Sequence, residues 1–227
     1  AEGNDALAGK GRARLVPNGD RQAWVIPNGG SYADESLVSP YIGAASKGNL
    51  VLTVQHRYSF EASEVNIPAE AGGGRRMAYF DGGVVEVSTD GRTWKDVGAT
   101  VAGYGVTLEE DPQNPLSKRQ AFGGKSKGYD QGEIETLRLD LGSAYAGQTL
   151  RVRFRVGADG GVGAPGWEIR EVSVEGTATK PFPSRAPVNA ACGSVTSTPP
   201  PPAPPVDVPP PAPTDGETPA PQDPPKD

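Results

Sequence analysis

The chain has 227 residues, with 31 glycines, 24 prolines, one cysteine, one histidine and a net charge of -6. So much Gly and Pro argues for many turns and few helices. A lone cysteine rules out a disulfide within the chain, one histidine with one cysteine rules out the usual zinc sites, and the modest negative charge makes no case for nucleic acid as a partner.

Residues 1–20 are small, charged and Gly-rich without periodicity, and read as a flexible leader. Strand signals follow. Ala23 to Ile26 is short and apolar, and Leu37 to Ile42 is a second candidate. Leu50 to Glu61 is the clearest: Leu50, Leu52, Val54, His56, Tyr58 and Phe60 share one parity, opposite the mostly polar Val51, Thr53, Gln55, Arg57, Ser59 and Glu61. A period of two over that length predicts a half-buried strand, and it points the only histidine into the apolar face. A Gly-rich loop, Ala71 to Arg76, leads to Met77–Phe80 and Val84–Ser88.

Asp90-Gly91 then supplies the positive φ angles of a tight hairpin turn, with Trp94 to Val97 returning. Residues 103–133 read as a long polar loop with at most short strands. Leu137, Leu139 and Leu141 form one alternating strand. Leu150, Val152, Phe154 and Val156 form another, with Arg151, Arg153 and Arg155 on its other face, read as a solvated surface rather than an anion site. In the last strand Trp167 and Ile169 share one parity, Val172 and Val174 the other, so a β-bulge is expected near Arg170-Glu171.

These signals predict an all-β protein, a two-sheet jelly-roll-like β-sandwich over residues 21–178. Residues 179–198 read as a connector. Residues 199–227 hold 14 of the 24 prolines; they read as a disordered, extended polyproline II stalk, at about 3.1 Å per residue where continuous. No apolar run is long enough for a membrane span. No charged and apolar export signal opens the chain, so export has to be read from elsewhere.

Catalytic chemistry finds little footing. His56 sits among apolar neighbours, unsuited to a catalytic base, and Cys192 has no second thiol or activating histidine nearby in sequence. Glu109-Glu110-Asp111 are adjacent loop acids, with nothing to place a pair across a cleft. Acids at strand ends suit calcium, which takes six to eight oxygens from carboxylates and carbonyls. The candidates are Asp34, Glu61, Asp81 and Asp159, with Gly82-Gly83 after Asp81 free to turn carbonyls toward a cation; four ordinary surface acids are the alternative.

Several segments, DESLVSPYI, HRYSFE, YFDGGVVEVSTDGRTW, NPLSKRQAFGGKSKGY, LDLGSAYAGQTLRVRFRVGAD and GWEIREVSVEG, together with Pro181, Phe182 and Cys192, resemble a known module. It is the MAM-like jelly-roll accessory domain of secreted bacterial metallopeptidases of the fungalysin and immune-inhibitor-A kinds, and the resemblance covers about residues 22–190. It implies a non-catalytic domain, secreted or at the cell surface, often with a structural calcium ion, that attaches a linked peptidase domain to a glycan or protein surface. It maps Glu61 and Asp81 onto the acids of the HRYSFE and DGG motifs, and Asp34 and Asp159 onto acids common at those places. Where the family has two aspartates after its Gly-Trp pair, this chain has Arg170 and Glu171. If that position supplies a ligand, Glu168 or Glu171 has to substitute. As a lectin-like domain, the chain would stack sugars on Trp24, Tyr104 or Tyr129; the alternative is that each is a core or edge residue, since aromatics mostly bury. An envelope spacer and a hydrolase using two carboxylates are the competing function classes; the first predicts no row of exposed aromatics, the second a cleft between two acids.

Overall fold

The structure is a computed structural model that describes residues 8–18, 21–98 and 103–181. It is an all-β sandwich. The first sheet contains β1 (Ala8–Lys10), β4 (Ala33–Val38), β14 (Thr149–Ala158), β9 (Gly82–Ser88) and β10 (Lys95–Asp96), in that order, with β5 (Ile42–Gly43) also pairing with β14. The second runs β13 (Glu135–Asp140), β6 (Val51–Ser59), β15 (Ala164–Glu175), β3 (Arg21–Asn28) and β2 (Arg14–Asn18). All strand pairings are antiparallel. Two small hairpins complete the strands: β7 (Ala62–Asn66) with β8 (Arg75–Tyr79), and β11 (Val106–Thr107) with β12 (Gln120–Ala121). Among the described residues no helix is long and apolar enough to cross a membrane.

The alternation seen in the sequence sets the core. Leu52, Val54 and His56 of β6 lie opposite Leu139, Leu137 and Glu135 of β13. On the other side of β6, Trp167 and Ile169 face Tyr58 and His56, whereas Val172 and Val174 face Val54 and Leu52. The register shifts between Ile169 and Glu171, so a bulge at Arg170 returns both apolar pairs to the interior, as their change of parity requires. The facing sheet contributes Leu37, Val85, Val152, Phe154 and Val156, all essentially buried. Trp167 fills the centre: its ring meets Phe154 at 5.7 Å and 90°. A Cβ on Gly83 would stand 2.6 Å from that indole, so the large ring depends on a glycine across the core.

One expectation changes. Residues 8–18 of the expected leader form strands, β1 pairing with β4 in one sheet and β2 with β3 in the other. The crossing between sheets is held by Glu35, buried at the core edge, whose carboxylate accepts from the backbone N–H of Arg12 and, at 2.9 Å, from its Nε. Gly11 adopts φ +75° in this turn, and a Cβ there would collide with Glu35. The loop 103–133 has only short strands, in line with its reading: β11 and β12 of two residues each, with a 3-10 turn at Tyr129–Gln131. It also closes one side of the sandwich: Phe122 exchanges hydrogen bonds with Gly83, and two and four residues on, Gly124 and Ser126 bond to Phe60 and Tyr58. The connector beyond residue 181, Phe182, Cys192 and the proline-rich stalk lie outside the described residues.

The three arginines of β14 do not form an open face. Arg153 and Arg119 bond to the buried Glu86 at 2.8 and 2.9 Å, Arg155 grips Asp34 at 2.7 and 2.9 Å, and Arg151 donates to the Ser39 carbonyl. Arg153 also stacks over Trp94 at 4.3 Å.

Candidate cation site

Four chain segments meet at one end of the sandwich. Asn28 closes β3 and Glu61 follows β6, both from the second sheet. Asp81 precedes β9 and Asp159 follows β14, both from the first. Carboxylate oxygens of Glu61, Asp81 and Asp159 all lie within 4.8 Å of one another. Like charges this close, partly shielded from water, repel unless a proton or a cation intervenes.

Each carboxylate commits one oxygen to backbone. Asp81 Oδ1 accepts from the N–H of Asp159 at 2.7 Å, Asp159 Oδ1 from Gly161 at 2.7 Å, and Glu61 Oε2 from Val162 at 2.9 Å. These bonds fold residues 159–162 over the acids. What remains is unusual. Asp81 is 1% exposed, and its Oδ2 is buried without a hydrogen bond. Asn28 is 2% exposed, and neither atom of its amide meets hydrogen-bond geometry, although the amide lies close enough to Asp81 to favour its ionised form. Buried polar atoms are nearly always partnered, and each orphan costs about 1–3 kcal/mol. These two groups lie next to the three-carboxylate cluster with oxygen atoms free to accept a partner.

The electrostatics agree. Burial, the largest cause, pushes the Asp81 carboxyl up to about 7, and the charges of Asp159 and Glu61 add to it. Glu61 is raised in the same way, by burial first and then by Asp159, against the hydrogen bond from Val162. Among the described residues no arginine or lysine pairs with any of the three; the ion pairs of this face are Arg155 with Asp34 and Arg12 with Glu35. The donor set is all oxygen, as calcium prefers, and contains no nitrogen or sulfur for zinc. Three carboxylates and the Asn28 carbonyl oxygen fit a calcium ion and would supply four of its six to eight ligands.

Asp34 does not join the cluster. It projects from the outer face of the first sheet, opposite Gly157, where the guanidinium of Arg155 holds it. Arg170 and its neighbours are also elsewhere. Arg170 is the bulge residue, and its Nε donates at 2.7 Å to Glu168, which also accepts from Arg57 at 2.7 Å on the outer face of the second sheet. These two arginines outweigh burial and hold the Glu168 carboxyl below its ordinary range. Glu168 is therefore occupied, Glu171 lies beside Gln55 on the same outer face, and neither substitutes at the cluster.

Asn28 is the residue that sequence reading missed, and a signal for it existed. Asn28-Gly29-Gly30, Asp81-Gly82-Gly83 and Asp159-Gly160-Gly161 are three copies of one triplet, each at a strand end, and all three converge here.

The expected sugar-stacking aromatics lie differently. Trp24 is 9% exposed and belongs to the core. Tyr104 is 8% exposed; its hydroxyl donates to Asp96 at 2.9 Å and accepts from the Val85 N–H at 2.7 Å, and burial drives its pKa far above the ordinary range. Neither ring offers a free face, because aromatic area is the cheapest apolar surface with which to fill a sandwich edge. Tyr129 is half-buried beneath the Arg57 guanidinium, 5.3 Å from its centroid. His56 is buried; its Nδ1 accepts from the Trp167 indole N–H at 2.9 Å, and desolvation lowers its pKa to about 4.

No protein-family model matches this chain, and no curated protein matches it.

Proposed function

We propose that this chain is a calcium-stabilised, non-catalytic binding module of an exported or surface-displayed protein, of the kind that accompanies secreted bacterial peptidases. The observation that carries it is the cluster of Glu61, Asp81 and Asp159 with the two unpartnered groups, Asp81 Oδ2 and the Asn28 amide. An ion there would join both sheets where a chain with a single cysteine has no internal disulfide to do so. The non-catalytic reading draws support from His56, which is locked in the core as a neutral acceptor.

The test is thermal unfolding of the full chain in calcium and in chelator. A ligand at about 100 times its dissociation constant stabilises the native state by about 2.7 kcal/mol. In a domain of this size that raises the midpoint by about 5–10 °C. The rise is expected to vanish in Asp81→Asn. Equal midpoints in calcium and chelator would refute the reading.

A further inference from the structure

The loop that covers the cation site carries one exposed apolar residue, and the connection from β3 to β4 brings a second against it. Val162 is 67% exposed at its tip, and its N–H is bonded to Glu61. Tyr32 is 49% exposed and lies on Gly160: a Cβ there would come within 2.7 Å of Tyr32 Cε2. Gly30 and Gly163 approach so closely that a Cβ on Gly163 would stand 2.7 Å from the Gly30 nitrogen. Arg12 packs over Gly29 in the same way, with 46% of its side chain exposed. The result is a glycine floor supporting one aromatic ring, with carboxylates on one side and a guanidinium on the other.

We propose that Tyr32 and the Asp159–Gly163 loop form a saccharide-binding platform that is ordered when the cation site is filled; this rests on the calcium reading above. Three observations point to a sugar. The Tyr32 ring has its Cε2 side against Gly160 and stays half-exposed, which leaves apolar ring surface for a pyranose and a polar tip in water. Four protein groups leave two to four calcium positions for water or ligand hydroxyls. Arg12, half-exposed over Gly29, adds guanidinium donors at the same glycine turn. A lipid surface fits less well. It calls for several apolar side chains with surplus basic charge, whereas here Arg12 and Arg155 are each neutralised by an acid.

The experiment applies the labelled full chain to an array of plant, microbial and animal glycans in calcium and in chelator, beside the unfolding assay. The expected result is calcium-dependent retention, weakened at least ~tenfold in Tyr32→Ala and kept in Tyr32→Phe, which retains the ring. Both variants should retain the calcium-induced rise in midpoint. Retention unaffected by Tyr32→Ala overturns the platform, as does no retention by any glycan in protein that still responds to calcium; either result leaves the cation site standing. Loss of the calcium response in the parent chain overturns the cation reading itself. A parallel sedimentation with phosphatidylserine vesicles, if calcium-dependent and lost in Tyr32→Ala, would assign the platform to membranes and overturn the saccharide.

Discussion

Acid should weaken this sandwich through one residue, His56. The imidazole is buried among Phe122, Tyr58 and Trp167 rings, with centroids at 5.4, 5.8 and 5.8 Å, and its Nδ1 accepts the Trp167 N–H. A proton on Nδ1 would break that bond and place a charge in the core. Burial accordingly lowers the pKa from 6.5 to about 4. The unfolded chain takes up its proton near pH 6.5, whereas the folded chain waits until about 4. Stability contributed by the neutral ring is therefore complete above pH 6.5 and lost as the pH falls toward 4. The loss is about 3 kcal/mol, at about 1.4 kcal/mol per pH unit. The comparison is His56→Asn, whose amide oxygen takes the place of Nδ1 as acceptor and does not titrate. Its smaller volume costs about 1–3 kcal/mol at every pH, and that offset subtracts out. Urea unfolding followed by tryptophan fluorescence from pH 8 to 4 reads both proteins. The stability of the parent relative to the variant should fall by about 3 kcal/mol across this range. A difference that stays constant would show that His56 carries no proton-linked strain, and would refute the reasoning.

Asp81 acts in the opposite sense. Its folded pKa is raised from 3.8 to about 7, so in metal-free buffer its contribution is present below pH 3.8 and lost as the pH rises through 7. Asp81→Asn should therefore stabilise the metal-free protein at pH 8, measured by urea unfolding, while abolishing its response to calcium. Gly83→Ala places a methyl against the Trp167 ring and should cost about 1–3 kcal/mol by overpacking, again measured in urea. Glu86→Ala leaves Arg153 and Arg119 without their buried partner; the expected loss is about 3–5 kcal/mol, seen as a lower thermal midpoint.

The strands legible in the sequence are those with one face in the core. In β6, β13 and β14 every second residue is apolar because every second residue is inside, and the bulge at Arg170 was visible as a change of parity. β7 was missed because most of its residues are exposed or half-exposed, so Ala62–Asn66 carries no two-residue signal. β1 was missed because its partner β4 lies more than twenty residues on, and β2 because its residues are exposed or half-buried and carry no buried face. Of the four proposed acids, Glu61, Asp81 and Asp159 converge, since each sits where a strand ends at the same rim. Asp34 differs because Arg155 lies on the neighbouring strand in the diagonal position, a relation set by register rather than by local sequence. Exposure of aromatics was not legible. Trp24 and Tyr104 look like surface candidates in a polar chain, yet they fill edges of the core, while the exposed Tyr32 owes its position to a glycine more than a hundred residues away.

The placement of β1 and β2 sets where this domain can be cut. Each is the outermost strand of its own sheet, so residues 8–18 protect two open edges at once. A version trimmed at residue 20 would bare the backbone N–H and C=O groups of β4 and β3 together, on opposite layers of one molecule. Bare edges recruit strands from other chains, and a particle with two of them can grow in two directions. Such a fragment would polymerise where the longer chain stays dispersed.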